Sequence, residues 1–135
     1  MSIRHLDSLF APTSVAVVGA SVRPGSVGAT VWHNLRAGGF PGPRWAVNPK
    51  HDRLGDEPCF RSVANLPQTP ELAIVCTPAA SVPGVIGELA QRGTRAAVVL
   101  TAGLDADLRQ AMLAAAWAFR RWCRWASTPT STSAT

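Results

Sequence analysis

Residues Ser14–Gly28 read SVAVVGASVRPGSVG. An apolar, β-branched run passes here into a glycine-rich loop, and the loop passes into a helical pattern that begins near Val27. A strand, a glycine loop and a helix in this order place backbone N–H groups and a helix N-terminus where they can bind a phosphate. The segment therefore predicts a nucleotide-like ligand, without indicating which one.

Three further apolar runs follow along the chain. They are Trp45–Val47, Leu72–Cys76 and Ala96–Leu100. Most of them lack apolar–polar alternation, which is typical of parallel strands covered on both faces. Helical patterns follow the first, third and fourth runs, and this alternation predicts right-handed βαβ units. The expected fold class is α/β, with a Rossmann-like, doubly wound, mostly parallel sheet and helices on both faces.

The helix after the first strand is expected to bury Val27, Val31 and Leu35, which lie at helical spacing. The predicted N-caps of the three helices are Ser26, Ser81 and Asp105, and the predicted ends of the first two are Gly38 and Gly93. The proline-rich segment Pro49–Pro70 predicts a loop with room for one short element.

Composition suits one globular domain, because 47% of the 135 residues are hydrophobic and 16% are charged. The net charge is +5, but the twelve arginines are scattered apart from Arg120, Arg121 and Arg124, which does not favour a nucleic-acid partner. No apolar run reaches the ~20 residues of a membrane span, and no secretion signal is found, so a cytoplasmic location is expected. The three cysteines form no metal-binding or disulfide pattern.

The end of the chain differs from the rest. Residues 117–126 read WAFRRWCRWA, and a Ser/Thr-rich stretch follows them. We predict one domain over residues 1–116 and a poorly ordered, atypical tail over residues 117–135. The alternative is that the Trp/Arg segment forms an amphipathic helix that binds a membrane or a partner protein.

Several residues of the first loop suit a phosphate. Gly19 permits a tight turn and the close approach of a ligand. Ser21 offers a hydroxyl group, and Arg23 can pair with a phosphate through two hydrogen bonds. Pro24 and Gly25 form a second turn before the helix.

The loop departs from the fingerprint of dinucleotide-binding proteins. In the pattern G-x-G-x-x-G, the second and third glycines would occupy the positions of Ser21 and Pro24. The loop also lacks the Gly-Lys-Ser/Thr ending of a P-loop. After the second strand, Lys50 stands where NAD-binding proteins have an acidic residue that binds ribose, and a lysine there suits an additional phosphate.

The third and fourth strands end in Cys76-Thr77-Pro78-Ala79 and in Thr101-Ala102-Gly103. Both ends lie at the carboxyl edge of the predicted sheet, where open α/β folds bind their ligands. The small residues leave room for a ligand along this edge, and the threonines can form hydrogen bonds with it.

Six motifs occur in a fixed order: LFAPTSVAVVGAS, RPGSVG, NLRAGGFPG, VNPK, LPQTPELAIVCTP and AVVLTAGL. Over residues 6–115 the chain resembles the N-terminal CoA-binding domain of NDP-forming acyl-CoA synthetases. That domain is related to the succinyl-CoA synthetase α subunit and also occurs in bacterial protein acetyltransferases. The resemblance implies CoA or acyl-CoA as the ligand and acyl-CoA synthetase as the family's ligase activity.

By this resemblance, the first loop would surround the phosphates and adenosine of CoA, Lys50 would contact a phosphate, and the ends of the third and fourth strands would border the pantetheine arm. The candidate ligand-binding residues are Gly19, Ser21, Arg23, Gly25, Ser26, Val27, Lys50, Thr77, Pro78, Thr101, Ala102 and Gly103.

The chain also departs from this family. The synthetases continue into a domain with a phosphorylated histidine and into nucleotide-binding parts, whereas His5, His33 and His51 match no such motif. Beyond Ala116 the resemblance stops, as in a truncated or frame-shifted reading frame. We therefore expect a CoA-binding module that has no catalytic or metal-binding residues and that does not catalyse a reaction on its own. The alternatives are a subunit of a split synthetase completed by a partner chain with the phosphohistidine and nucleotide-grasp domains, an NAD(P)-binding Rossmann module, and a non-functional remnant.

Overall fold

The computed structural model describes residues 6–127, and it describes side chains from residue 7 to residue 116. One six-stranded sheet has the order β3-β4-β2-β1-β5-β6. The strands are β1 Val15–Val18, β2 Arg44–Val47, β3 Arg53–Leu54, β4 Glu57–Phe60, β5 Leu72–Val75 and β6 Ala96–Val99. The α-helices are α1 Leu6–Phe10, α2 Val27–Ala37, α3 Val82–Arg92 and α4 Ala106–Ser127. Only the β3–β4 pair is antiparallel among these strands, which confirms the mostly parallel α/β fold.

Two apolar layers cover the sheet. On one face, Trp32 of α2 packs with Val17, Ala46 and Leu54. On the other face, residues of α3 pack against β1, β2 and β5, and α4 lies beside α3. The chain proceeds from β1 toward β2 in one direction and returns to the other side of β1 for β5. The β1–β5 boundary is therefore the point where an open sheet of this kind binds its ligand.

The buried face of α2 differs from the expected one. Gly28 and Trp32 are buried, Val31 and Leu35 are half-buried, and Val27 remains 51% exposed. The reason is the contact of Gly28 with the end of β1. A Cβ on Gly28 would lie 2.0 Å from the carbonyl oxygen of Gly19, so only glycine lets the helix approach the strand this closely. This contact sets the rotation of the helix and turns Val27 outward.

The segment Pro49–Pro70 holds more structure than its prolines indicate. It contains the β3–β4 hairpin and a 3-10 turn at Val63–Asn65. The hairpin reverses at Gly55, which adopts a φ of +61°. Its strand β4 is held by Glu57, which accepts a hydrogen bond from Arg44 of β2 at 2.8 Å and forms an ion pair with Arg36 of α2 at 3.3 Å. These contacts are tertiary, so local sequence patterns do not reveal them.

Two of the three predicted helix N-caps are confirmed. Ser26 Oγ accepts a hydrogen bond from Ala29 N at 3.1 Å, and Asp105 Oδ1 accepts one from Leu108 N at 2.8 Å. Ser81 makes no capping bond, because it belongs to a 3-10 turn that leads directly into α3. Both predicted helix ends are confirmed as well. They are Gly38 and Gly93, and the second adopts a left-handed conformation with a φ of +88°.

A carboxylate ties the N-terminal segment to the sheet. Glu71, just before β5, accepts a hydrogen bond from Ser8 Oγ at 2.7 Å and another from Thr13 N at 2.9 Å. The Thr13 hydroxyl also donates to this carboxylate. The bonds from Thr13 and Ser8 stabilise the charged form and lower the pKa of Glu71 to about 2.

Helix α4 continues past residue 116, where the sequence predicts the end of the domain. That boundary stays a prediction, and the Ser/Thr-rich residues 128–135 lie outside the described part of the chain, as does His5. Within residues 6–127, no helix is both long and apolar enough to cross a membrane. The same residues contain no cluster of His, Cys, Asp and Glu suited to a metal ion.

Candidate ligand-binding site

A crevice of about 280 Å³ opens where the carboxyl ends of β1, β5 and β6 meet. We call it the switch crevice, because it lies at the topological switch point between β1 and β5. Its lining residues are Gly19, Ser21, Ser26, Val27, Gly28, Cys76, Thr77, Pro78, Leu100, Thr101 and Ala102. Eight of the twelve candidate residues are among them, and the four that are not are Arg23, Gly25, Lys50 and Gly103. The crevice thus joins three loops that are far apart in the sequence.

Three lining residues, Gly28, Cys76 and Leu100, are absent from the sequence-based set. Cys76 and Leu100 end two of the predicted strands, so their positions at the sheet edge already carried the signal. Gly28 begins α2 within the first motif, but its contact with the carbonyl of Gly19 is visible only in three dimensions.

Main-chain contacts align the strand ends at the switch crevice. Gly19 N donates to Val47 O at 2.7 Å, and Cys76 N donates to Val18 O at the same distance. Gly19 adopts a φ of +89°, and a Cβ there would lie only 2.8 Å from the carbonyl carbon of Cys76. Because Val27 and Gly28 line the crevice, the first N–H groups of α2, which have no intrahelical acceptor, lie at its wall.

The loop between β1 and α2 is held by its own hydroxyl groups. Ser21 Oγ accepts a hydrogen bond from Arg23 N at 2.9 Å. Ser26 Oγ donates to Arg23 O at 2.9 Å as well as capping α2, so its hydroxyl proton is already committed. The Arg23 side chain is exposed, and none of the described ion pairs includes it. This arrangement leaves the guanidinium group available to an anion beside the crevice.

Lys50 lies in the turn that follows β2 and is exposed. Its backbone N–H donates to Asn48 Oδ1 at 2.9 Å, and Asn48 Nδ2 donates to Ala20 O at 2.9 Å. The Asn48 side chain therefore connects the turn that carries Lys50 to the residue before the Ser21–Ser26 loop. Gly25 and Gly103 each adopt a φ of +81° and shape the turns next to the crevice.

The interior of the switch crevice is uncharged. Thr101 Oγ1 donates to Thr77 O at 3.0 Å and so joins the ends of β5 and β6. The hydroxyl oxygen of Thr77 is buried and has no hydrogen-bond partner. Burial also raises the pKa of the Cys76 thiol, which keeps it neutral at pH 7. The partly exposed side chains of Val27 and Leu100 add apolar surface.

These features suit an amphiphilic ligand. A buried hydroxyl without a partner costs about 1–3 kcal/mol, and a ligand group that pairs with Thr77 recovers this free energy. A neutral chain with amide groups meets that need in an uncharged crevice. An anionic group suits the start of α2 and the nearby cations.

Residues 13–120 match the family described as the CoA binding domain. This chain belongs to that family. The CoA-binding domain is 38% identical over 106 residues to an ADP-forming acetate–CoA ligase II of Archaeoglobus fulgidus, covering 78% of this chain and 16% of the relative. It is also 33% identical over 102 residues to the α subunit of an ADP-forming acetate–CoA ligase I of Pyrococcus furiosus, covering 73% of this chain and 22% of that subunit.

A solved structure has the same fold. It is the apo form of a dinucleotide-forming acetyl-coenzyme A synthetase 1 from Ca. Korarchaeum cryptofilum, with a TM-score of 0.79 and 32% sequence identity. The match covers 84% of this chain and 26% of the synthetase. The CoA-binding domain therefore spans only a small part of the length of these ligases and of this synthetase.

Proposed function

We propose that this domain binds CoA or acyl-CoA in the switch crevice, without a complete active site of its own. The observation that carries the proposal is an uncharged crevice that begins at the N-terminus of α2 and is lined by Thr77, whose buried hydroxyl has no partner. CoA has the matching two parts, an anionic nucleotide end and a neutral pantetheine arm with two amide groups. Membership of the CoA-binding domain family supports the same ligand.

In this proposal the two parts of CoA occupy different surroundings. The phosphates lie near the first N–H groups of α2, Ser21 and Arg23, with Lys50 at the ribose end. The pantetheine arm runs along the edge formed by the loops after β5 and β6. One of its amide groups pairs with Thr77 Oγ1, and the apolar parts of the arm contact Val27 and Leu100.

Isothermal titration calorimetry with CoA, dephospho-CoA and NAD tests the proposal. We expect CoA to bind, dephospho-CoA to bind more weakly, and NAD not to bind. Binding of NAD without binding of CoA would refute the proposal in favour of a dinucleotide-binding module. Ser21 and Pro24, at positions where that module has glycine, support CoA over NAD.

Two single variants test the cations. Arg23→Ala and Lys50→Ala should each weaken CoA binding by about 1–3 kcal/mol if the side chains contact phosphates. Arg95→Ala is the matched control, because Arg95 is also exposed but precedes β6 at the opposite edge of the sheet. Equal losses in all three variants would indicate a general charge effect and not a phosphate site.

A second candidate function is that of one component of a split acyl-CoA synthetase. It is supported by the relative from Pyrococcus furiosus, which is an α subunit. In this case a partner chain supplies the phosphohistidine and nucleotide-grasp domains. Formation of acyl-CoA from acid, CoA and nucleotide only after the two chains are mixed would support it. No acyl-CoA formation in the mixture would leave the domain as a binding module.

A further inference from the structure

Asn48 uses every hydrogen-bonding group that it has. Its Nδ2 donates to Ala20 O at 2.9 Å, and its Oδ1 accepts from Lys50 N at 2.9 Å. Its main-chain N–H donates to Phe60 O at 2.8 Å, and its carbonyl accepts from His51 N at 3.3 Å. One half-buried side chain thus joins the loop after β1 to the turn after β2, while the main chain holds that turn on β4.

Few side chains can replace this one. The two side-chain bonds need a donor and an acceptor on one short planar group, which among the amino acids is the asparagine amide. Aspartate keeps the acceptor for Lys50 N. Its second carboxylate oxygen, however, would face the carbonyl oxygen of Ala20, and two acceptors cannot form a hydrogen bond with each other. Alanine removes both bonds. Because Ala20 is fully buried, its carbonyl is a fixed point for the turn.

The position of this turn at the end of β2 places it near the ligand. In dinucleotide-binding proteins the residue after the second strand meets the ribose, and a cation there accommodates a ribose phosphate. Lys50 is exposed and has a long, flexible side chain, so only its backbone can be held in place before the ligand binds. The Asn48 amide holds that backbone, and it is anchored one residue before the Ser21–Ser26 loop.

We propose that Asn48 is a positioning residue that acts through Lys50 and sets the preference for a ligand with a ribose phosphate. The inference rests on the proposed function, in which CoA is the ligand. Asn48 does not itself touch the phosphate. Asn48 fixes the backbone from which the Lys50 side chain reaches the phosphate. Because this backbone is ordered before the ligand arrives, binding costs less conformational entropy.

A double-mutant cycle tests the coupling between the two residues. CoA and dephospho-CoA, which lacks the ribose phosphate, are titrated into the wild type, Asn48→Ala, Lys50→Ala and the double variant. Asn48→Ala should weaken CoA binding about five- to tenfold, because the contact of Lys50 with the ribose phosphate is weakened but not removed. The same variant should weaken dephospho-CoA binding less than about twofold. In the Lys50→Ala background, the further loss on changing Asn48 should also stay below about twofold.

Two results of the cycle would overturn the proposal. One is an equal loss of CoA and dephospho-CoA binding, and the other is a full loss from Asn48→Ala when Lys50 is already absent. Asn34→Ala is the matched control, because Asn34 is an exposed asparagine of α2 and should leave both affinities unchanged.

A second measurement does not depend on CoA. Lys50 is the only lysine of the chain, so a lysine-specific endoproteinase can cut one bond, between Lys50 and His51. If the Asn48 amide holds this turn, local opening becomes more frequent in Asn48→Ala. This variant should then be cut about fivefold faster than the wild type, with each protein digested at the same interval below its own unfolding midpoint. Equal cleavage rates would overturn the positioning role. Failure of the wild type to bind CoA would instead refute the proposed function, and the cleavage rates would still decide whether Asn48 orders the turn.

Discussion

Replacing Gly28 with alanine adds one methyl group where α2 begins against the end of β1. The new Cβ would lie 2.0 Å from the carbonyl oxygen of Gly19, whereas ordinary contacts of this kind begin at 3.4 Å. The two groups must therefore separate by about 1.4 Å, the difference between these distances. Both belong to the main chain, so no side-chain rotation relieves the contact.

The magnitude is set by two opposing effects. Overpacking a close contact costs about 1–3 kcal/mol, and the upper end applies here because backbone must move. Alanine is favoured over glycine by about 1 kcal/mol in a helix interior, and this value is an upper limit at Gly28, the second residue of α2. We expect Gly28→Ala to lower the free energy of unfolding by about 2 kcal/mol and to weaken CoA binding, because the wall of the switch crevice moves.

Gly87→Ala is the matched control. Gly87 lies within α3, and a Cβ there would meet no atom within 4 Å, so this variant should gain up to about 1 kcal/mol. Urea unfolding monitored by circular dichroism measures both variants. A Gly28→Ala protein as stable as Gly87→Ala would refute the reasoning, because the packing of α2 on β1 would then not depend on glycine.

Three other predictions concern individual hydrogen-bonding groups. Thr77→Val should leave the free energy of unfolding unchanged or raised, since the lost hydroxyl has no partner, yet weaken CoA binding about threefold or more in calorimetry. Ser26→Ala should lower the free energy of unfolding by about 1 kcal/mol, because the Ser26 side chain caps α2. Ser81→Ala should lower it by less than half of that, because Ser81 makes no capping bond. Equal losses of the two variants in urea unfolding would contradict this prediction. The folded-state pKa of Glu71, about 2, lies below its ordinary value of 4.5, so the stability it contributes is present above pH 4.5 and is lost as the pH falls toward 2. Glu71→Gln should therefore flatten the pH dependence of urea unfolding over that interval, and an unchanged slope would contradict the assignment.

The sequence predicts features that depend on neighbours along the chain. The four core strands are apolar runs bounded by turn residues, and parallel strands place their carboxyl ends at one edge, which locates the site. Ser26 and Asp105 act as caps through bonds that span three residues, which is why they too can be recognised in the sequence.

Distant contacts set the features that the sequence does not predict. The rotation of α2 depends on the approach of Gly28 to Gly19, which a count of apolar positions cannot represent, and so Val27 is exposed where burial is expected. The β3–β4 hairpin depends on ion pairs of Glu57 with Arg36 and Arg44. In each case a residue is held by one that is far away in sequence.

The distribution of charge at the site constrains the ligand more than any single residue does. The switch crevice contains no charged side chain, whereas Arg23 lies in the loop after β1 and Lys50 lies in the turn after β2, which Asn48 joins to Ala20. Inorganic phosphate can use the two cations but leaves the Thr77 hydroxyl unpaired, and a neutral amide can pair with Thr77 but leaves the cations unused. Only a molecule that links the two satisfies both, and linking lets the second contact form without a further loss of translational freedom. If phosphate and pantetheine, added together, bound as tightly as CoA, this linkage would contribute nothing and the division between the two regions would have no functional meaning.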